Sequence, residues 1–105
     1  MSRIEEIKKM LKTDPSDSFL CYELALEHEK AGSTKTAIKV LEDLISTNPD
    51  YLGAYYKIGQ LYESVDKVEK AIEIYNRGIK LADEKEDNKS KGELEEALWL
   101  IEEES

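Results

Sequence analysis

One cysteine, one histidine and two prolines are all that 105 residues contain of those types. With Cys21 alone, no disulfide can close within the chain and no cysteine-built zinc site can form. His28 lies seven residues from Cys21 on one helical stretch. Two helical turns separate such positions by ~10 Å, too far for a thiolate–imidazole pair. Five glycines are present, none in a phosphate-cradling loop after a strand. Asp14, Asp17 and Asp50 fall in turns, where aspartate closes turns and caps helices rather than ligating metal. No apolar run approaches the ~20 residues of a membrane span. The stretch Met1 to Glu6 has no apolar core to serve as a signal segment. These absences lead us to expect a cytoplasmic protein that is no enzyme, holds no cofactor or metal, and does not enter a membrane.

Excess positive charge is also missing. The formal net charge is −9, and it is unevenly spread. Asp83 to Ser105 carry ten acids and three bases, a net of −7, whereas the first 82 residues carry a net of −2. Nucleic-acid binding draws on cations that displace counterions from phosphate. An anionic membrane surface would repel this chain for the same reason. Both partner classes are therefore excluded.

What is present is a repeat. At an offset of 34, Pro15 pairs with Pro49, Tyr22 with Tyr56, Leu24 with Ile58, Ala25 with Gly59, Glu29 with Glu63 and Ala37 with Ala71. The second copy reads Tyr55-x-x-Ile58-Gly59-x-x-Tyr62 and then Ala71-x-x-x-Tyr75. The first reads Cys21-x-x-Leu24-Ala25-x-x-His28, Ala37-x-x-x-Leu41 and Pro49. These spacings resemble the tetratricopeptide repeat, whose pattern is Trp-x-x-Leu-Gly-x-x-Tyr, Ala-x-x-x-Phe, Pro. Cys21, His28 and Asp83 depart from it, the last standing where the closing proline belongs, so the final junction should turn differently. The resemblance implies an all-α, α-α superhelix of about six antiparallel helices in a single domain, residues 1–105. Within it fall a half-repeat helix at 3–15, repeats at 16–49 and 50–83, and a C-terminal capping helix at 89–103.

Local signals agree. Ser2-Arg3-Ile4-Glu5 is a capping box for a first helix with Ile4, Ile7, Met10 and Leu11 on its apolar stripe. The second helix spans about 16–31 and stops at Gly32. Ser33 is placed to cap the third, which Asn48-Pro49 ends. The fourth spans about 51–65 and the fifth about 68–84, with Ala71, Ile72, Tyr75, Gly78, Ile79 and Ala82 inward. In the last helix Leu94, Ala97, Leu98 and Ile101 face inward, and its glutamates, 93, 95, 96 and 102–104, suit an outer face shown to water. Gly92 suggests a start near that residue, and three glutamates at its end oppose the macrodipole. Small residues at Ala25, Gly59, Ala37 and Ala71 mark close helix crossings.

By the resemblance, the first helix of each pair lines a concave groove that takes protein ligands. Tyr22 and Tyr56 are equivalent there, as are Glu29 and Glu63, with Leu26 and Gln60 between and Phe19 one turn earlier. Tyrosine offers a rigid contact area with a polar tip. These seven residues are the candidate partner-binding set, although the same tyrosines would also serve as padding between helices. Tyr22, Leu26, Tyr56 and Gln60 stand where some family members carry a clamp of basic and amide side chains for chaperone tails, so that ligand is not expected. The expected partner is a protein or peptide segment, apolar with some basic residues. The rival reading is a scaffold subunit that self-associates weakly through its terminal helices, anchored by Trp99, which either packs on the fifth helix or stays exposed.

Overall fold

The computed structural model describes residues 2–104, and those residues form six α-helices and no strand: α1 (Arg3–Thr13), α2 (Ser18–Lys30), α3 (Thr34–Thr47), α4 (Leu52–Ser64), α5 (Val68–Glu84) and α6 (Asn88–Glu104). They fall into two compact units, one ending at Tyr51 and one beginning at Leu52.

In the first unit Ser2 caps α1 as the sequence suggests, its Oγ accepting the Glu5 N–H at 3.1 Å. Asp17 takes the cap position of α2, accepting the Leu20 N–H at 3.0 Å. That is why α2 begins two residues later than the proline alone indicates. Ala25 and Ala37 are fully buried, as small residues at a tight crossing must be, and so is the larger Leu41. Ile7 fills the space between α1 and α2 and is also inaccessible. The end of α3 is tied to the start of α2 by Asn48, whose Nδ2 donates to Ser18 Oγ at 2.9 Å. Ser33 does not cap α3 through its side chain. Its N–H is drawn back to His28 O at 2.8 Å, which makes it the last residue of the turn closing α2.

In the second unit α5 lies between α4 and α6. A Cβ on Gly59 would stand 2.5 Å from Tyr75 Cζ and 2.6 Å from Cδ1, nearer still to Cε1. Only hydrogen fits there, so the Tyr75 ring packs directly against α4 at Gly59. A Cβ on Gly78 would likewise meet Tyr55 Cβ at 2.9 Å and Leu94 Cδ1 at 3.1 Å. The two glycines thus set how closely α5 meets α4 and α6. Ile74 is buried, whereas Ile72 and Ile79 are only half-buried. Asp83 does not break the helix as a proline would, and α5 runs on to Glu84. α6 starts at Asn88, four residues before Gly92, because Asp87 caps it: Oδ1 accepts the Ser90 N–H at 3.0 Å and Oδ2 the Ser90 hydroxyl at 2.9 Å. These bonds hold the Asp87 carboxyl below its ordinary pKa. Lys91 Nζ reaches back to Asp83 Oδ1 at 2.9 Å, and α6 continues through Glu104.

Three helices end alike. The N–H groups of Ser33, Lys67 and Asp87 return five residues to His28, Tyr62 and Ala82 at 2.8, 2.9 and 2.9 Å. This closure needs one residue in the left-handed region. Gly32 supplies it at φ 84°, but Asp66 and Glu86 do so at φ 61° and 57°. Glutamate is poorly suited to that region. Glu86→Gly is therefore expected to stabilise the chain by about 1 kcal/mol, read as a higher melting temperature with unchanged helical circular dichroism.

Candidate partner-binding site

The second unit holds a cleft of about 390 Å³ between its three helices. Tyr56, Gln60 and Glu63 of α4 form one wall, and Glu93, Glu96, Ala97, Leu100 and Glu104 of α6 the other, with Tyr75 of α5 also lining it. The α6 residues recur at helical spacing, so they share one stripe. Glu93, Glu96 and Glu104 are exposed, whereas Tyr56 and Glu63 are half-buried.

Tyr75 organises the cleft from beneath. Its side chain is wholly inaccessible, and its hydroxyl donates to Glu63 Oε2 at 2.6 Å. Burial raises its pKa well above the ordinary phenol value, and the hydrogen bond and charge of Glu63 add to that. The phenol therefore stays protonated and remains a donor. The Tyr56 ring lies 6.2 Å from that of Tyr75, tilted by 51°, within the contact range of aromatic pairs.

Four carboxylates line this cleft and no Lys or Arg does. Two of the cations of α5 sit on rings elsewhere: Lys70 Nζ lies 5.7 Å from the Tyr62 centroid and Arg77 Cζ 5.7 Å from that of Tyr55. The cleft thus joins aromatic and apolar walls to uncompensated negative charge.

The first unit carries the other four candidates on α2. Phe19 is 61% exposed, and Tyr22, Leu26 and Glu29 are half-buried. The Tyr22 ring pairs with Tyr51 at 5.7 Å and 41°. Burial, then Glu29 and Glu23, raise the Tyr22 pKa. Leu41 occupies the position 34 residues before Tyr75 and has no hydroxyl to offer. The two units therefore differ at the position that matters most for the second. Cys21 is half-buried, and burial followed by the charge of Asp17 raises its pKa, the reverse of an activated thiolate.

The α6 glutamates are exposed, as the sequence suggests. Glu93, Glu96 and Glu104 also border the cleft. Tyr75, expected inward, is buried beneath the cleft, and Leu100, beside Trp99 on exposed α6 surface, lines it; the stripe 93, 96, 97, 100, 104 is the signal that joins them. Trp99 is 57% exposed and not covered by α5. No group of three or more His, Cys, Asp or Glu side chains that could hold a metal occurs among the described residues. None of the helices is long and apolar enough to cross a membrane.

A sequence profile of the tetratricopeptide repeat matches residues 20–51 and 52–85. The chain belongs to the tetratricopeptide repeat family. Among solved structures, a tetratricopeptide repeat domain protein from Salinibacter ruber is 42% identical, with a TM-score of 0.81 over 85% of this chain and 90% of that one. MamA is 31% identical, with a TM-score of 0.70 over 95% of this chain and 55% of that one. The TPR2B domain of yeast Sti1, solved in its pHsp70 complex, shares the fold alone: 19% identity, TM-score 0.87, 97% of this chain and 82% of that one. Among curated proteins none matches. The fold is thus a helical solenoid of tetratricopeptide repeats, which are commonly protein–protein interaction modules. In the family's pattern Gly59 and Ala71 are the small pair at the hairpin crossing, and Tyr75 is the large aromatic that packs across it.

Proposed function

We propose that this tetratricopeptide chain is a non-catalytic adaptor that holds a protein or peptide segment, apolar with basic residues, in the α4–α5–α6 cleft. The observation that carries the reading is the cleft itself: tyrosine and leucine surface bordered by Glu63, Glu93, Glu96 and Glu104, with no cation of its own. Tyr56, Gln60 and Glu63 would contact the segment there. Phe19, Tyr22, Leu26 and Glu29 form a separate patch suited to the same chemistry. The repeat frame that goes with this reading is 16–49 and 50–83, with a half-repeat before it and α6 as its cap. A cytoplasmic setting accords with one half-buried free cysteine.

The test is selection of a displayed random peptide library against wild type and against Tyr56→Ala/Leu100→Ala. We expect wild type to enrich sequences that pair leucine-like side chains with Arg or Lys, and the double variant, still helical, to enrich none of them. Equal enrichment by both proteins would contradict the reading.

One observation favours a second reading. Trp99 and Leu100 are 57% and 49% exposed on α6, and exposed aromatic surface promotes association. If the chain is instead a self-associating scaffold subunit, its sedimentation coefficient will rise with concentration and Trp99→Ala will abolish the rise.

A further inference from the structure

Within the cleft, Glu63 is held differently from the other three carboxylates. Glu93, Glu96 and Glu104 are exposed on α6, where a cation meets them through water. Glu63 is half-buried, and one of its oxygens is fixed by a buried hydroxyl at 2.6 Å. Tyr75 cannot swing away, since its ring is wedged against the α4 backbone at Gly59. The carboxylate is thereby oriented before any partner arrives, in the cleft that the Tyr56 ring also lines, and that ring pairs with Tyr75.

A fixed carboxylate and an aromatic ring lining one cleft discriminate between cations. An ammonium is a compact, strongly hydrated point charge that loses much by leaving water. A guanidinium is planar and weakly hydrated. It donates in its plane to a carboxylate while its face rests on an aromatic ring. Exposed glutamates alone would bind both cations with little preference. The combination at Glu63 and Tyr56 suits only the planar one.

We infer that the cationic anchor of the bound segment is an arginine, its guanidinium held by Glu63 and laid on Tyr56, with Tyr75 as the positioning residue that fixes Glu63. This rests on the cleft being the binding site. Lys-containing segments still bind, through the rim glutamates, but more weakly.

Two acetylated, amidated pentapeptides test it. They are identical except that the central residue, flanked by leucines, is arginine in one and lysine in the other. Each is titrated into ¹⁵N-labelled protein, with Kd taken from amide shift changes. Wild type should bind the arginine peptide about fivefold more tightly. Tyr75→Phe keeps the ring and loses the hydroxyl. It should bring the ratio close to one while the lysine peptide's Kd stays unchanged. Glu63→Gln, which leaves Tyr75 in place, should also bring the ratio close to one, weakening the lysine peptide only slightly through the lost charge, and it guards against a packing defect in the first variant. Equal binding of the two peptides by wild type, or a preference that survives both substitutions, overturns the arginine assignment and leaves cleft binding standing. Shift changes absent from the cleft for both peptides overturn the cleft reading, and this inference with it.

Discussion

Gly59→Leu is expected to lower the stability of the chain by about 3 kcal/mol. The argument is geometric. Even a methyl group at Gly59 would stand inside the contact radius of the Tyr75 ring, and the ring has nowhere to retreat because it is fully buried. A leucine must push α5 off α4. That displaces Tyr75 and breaks its bond to Glu63. For a domain of this size the melting temperature should fall by about 4–8 °C per kcal/mol. Gly92 is the internal control: nothing lies within 4 Å of the Cβ it would carry. Gly92→Ala should therefore stabilise the chain by about 1 kcal/mol through helix propensity alone. Two helical glycines of the same unit thus respond with opposite sign. Differential scanning calorimetry of the two variants checks it. A Gly59→Leu protein that melts with wild type would mean that the hairpin crossing lies elsewhere.

Neutralising the rim of the cleft is the second large effect. Glu93→Gln/Glu96→Gln/Glu104→Gln leaves the tyrosines and Glu63 untouched but removes three of the four carboxylates that line the cleft. Each exposed carboxylate contributes a few tenths to about 1 kcal/mol toward a cation, so together they should account for about tenfold in affinity for a basic segment at low salt. Most of the loss should appear in the association rate, because long-range attraction steers encounter more than it holds the complex. Added salt should shrink the difference, since charges are screened beyond ~10 Å at 0.1 M. Isothermal titration of a library-selected peptide at low and high salt, with stopped-flow rates, checks this. An affinity unchanged at low salt would mean that the acidic border takes no part. The helical signal should not fall, as the substitutions relieve like-charge repulsion on α6.

The helices were legible because each begins or ends on a residue with a single strong local preference. Gly32 and Pro49 stop α2 and α3, and α5 matches its expected span of 68–84. Gly59 was legible as a close crossing because a repeat forces the same small residue to recur at Ala25. What lay beyond the sequence depends on how helices meet. Tyr75 and Glu63 are twelve residues apart, and no periodicity within one helix links them. Their bond follows only from the depth of the α4–α5 crossing. That the exposed α6 glutamates also border a cleft was hidden for a related reason. A charged stripe reads as solvated until a second wall stands opposite it, and here that wall is α4. Ser33 failed as a side-chain cap because the left-handed turn at Gly32 had already taken its N–H. Trp99 sits at the edge of the inward stripe, where a few degrees of helix rotation decide between cover and exposure.

The most direct test of a partner site in the second unit is amide shift mapping of one library-selected peptide on the ¹⁵N-labelled chain. The account predicts the largest changes at Tyr56, Gln60, Glu63, Glu96 and Leu100. Changes centred on Trp99 and the opposite face of α6, or confined to α1, would contradict it.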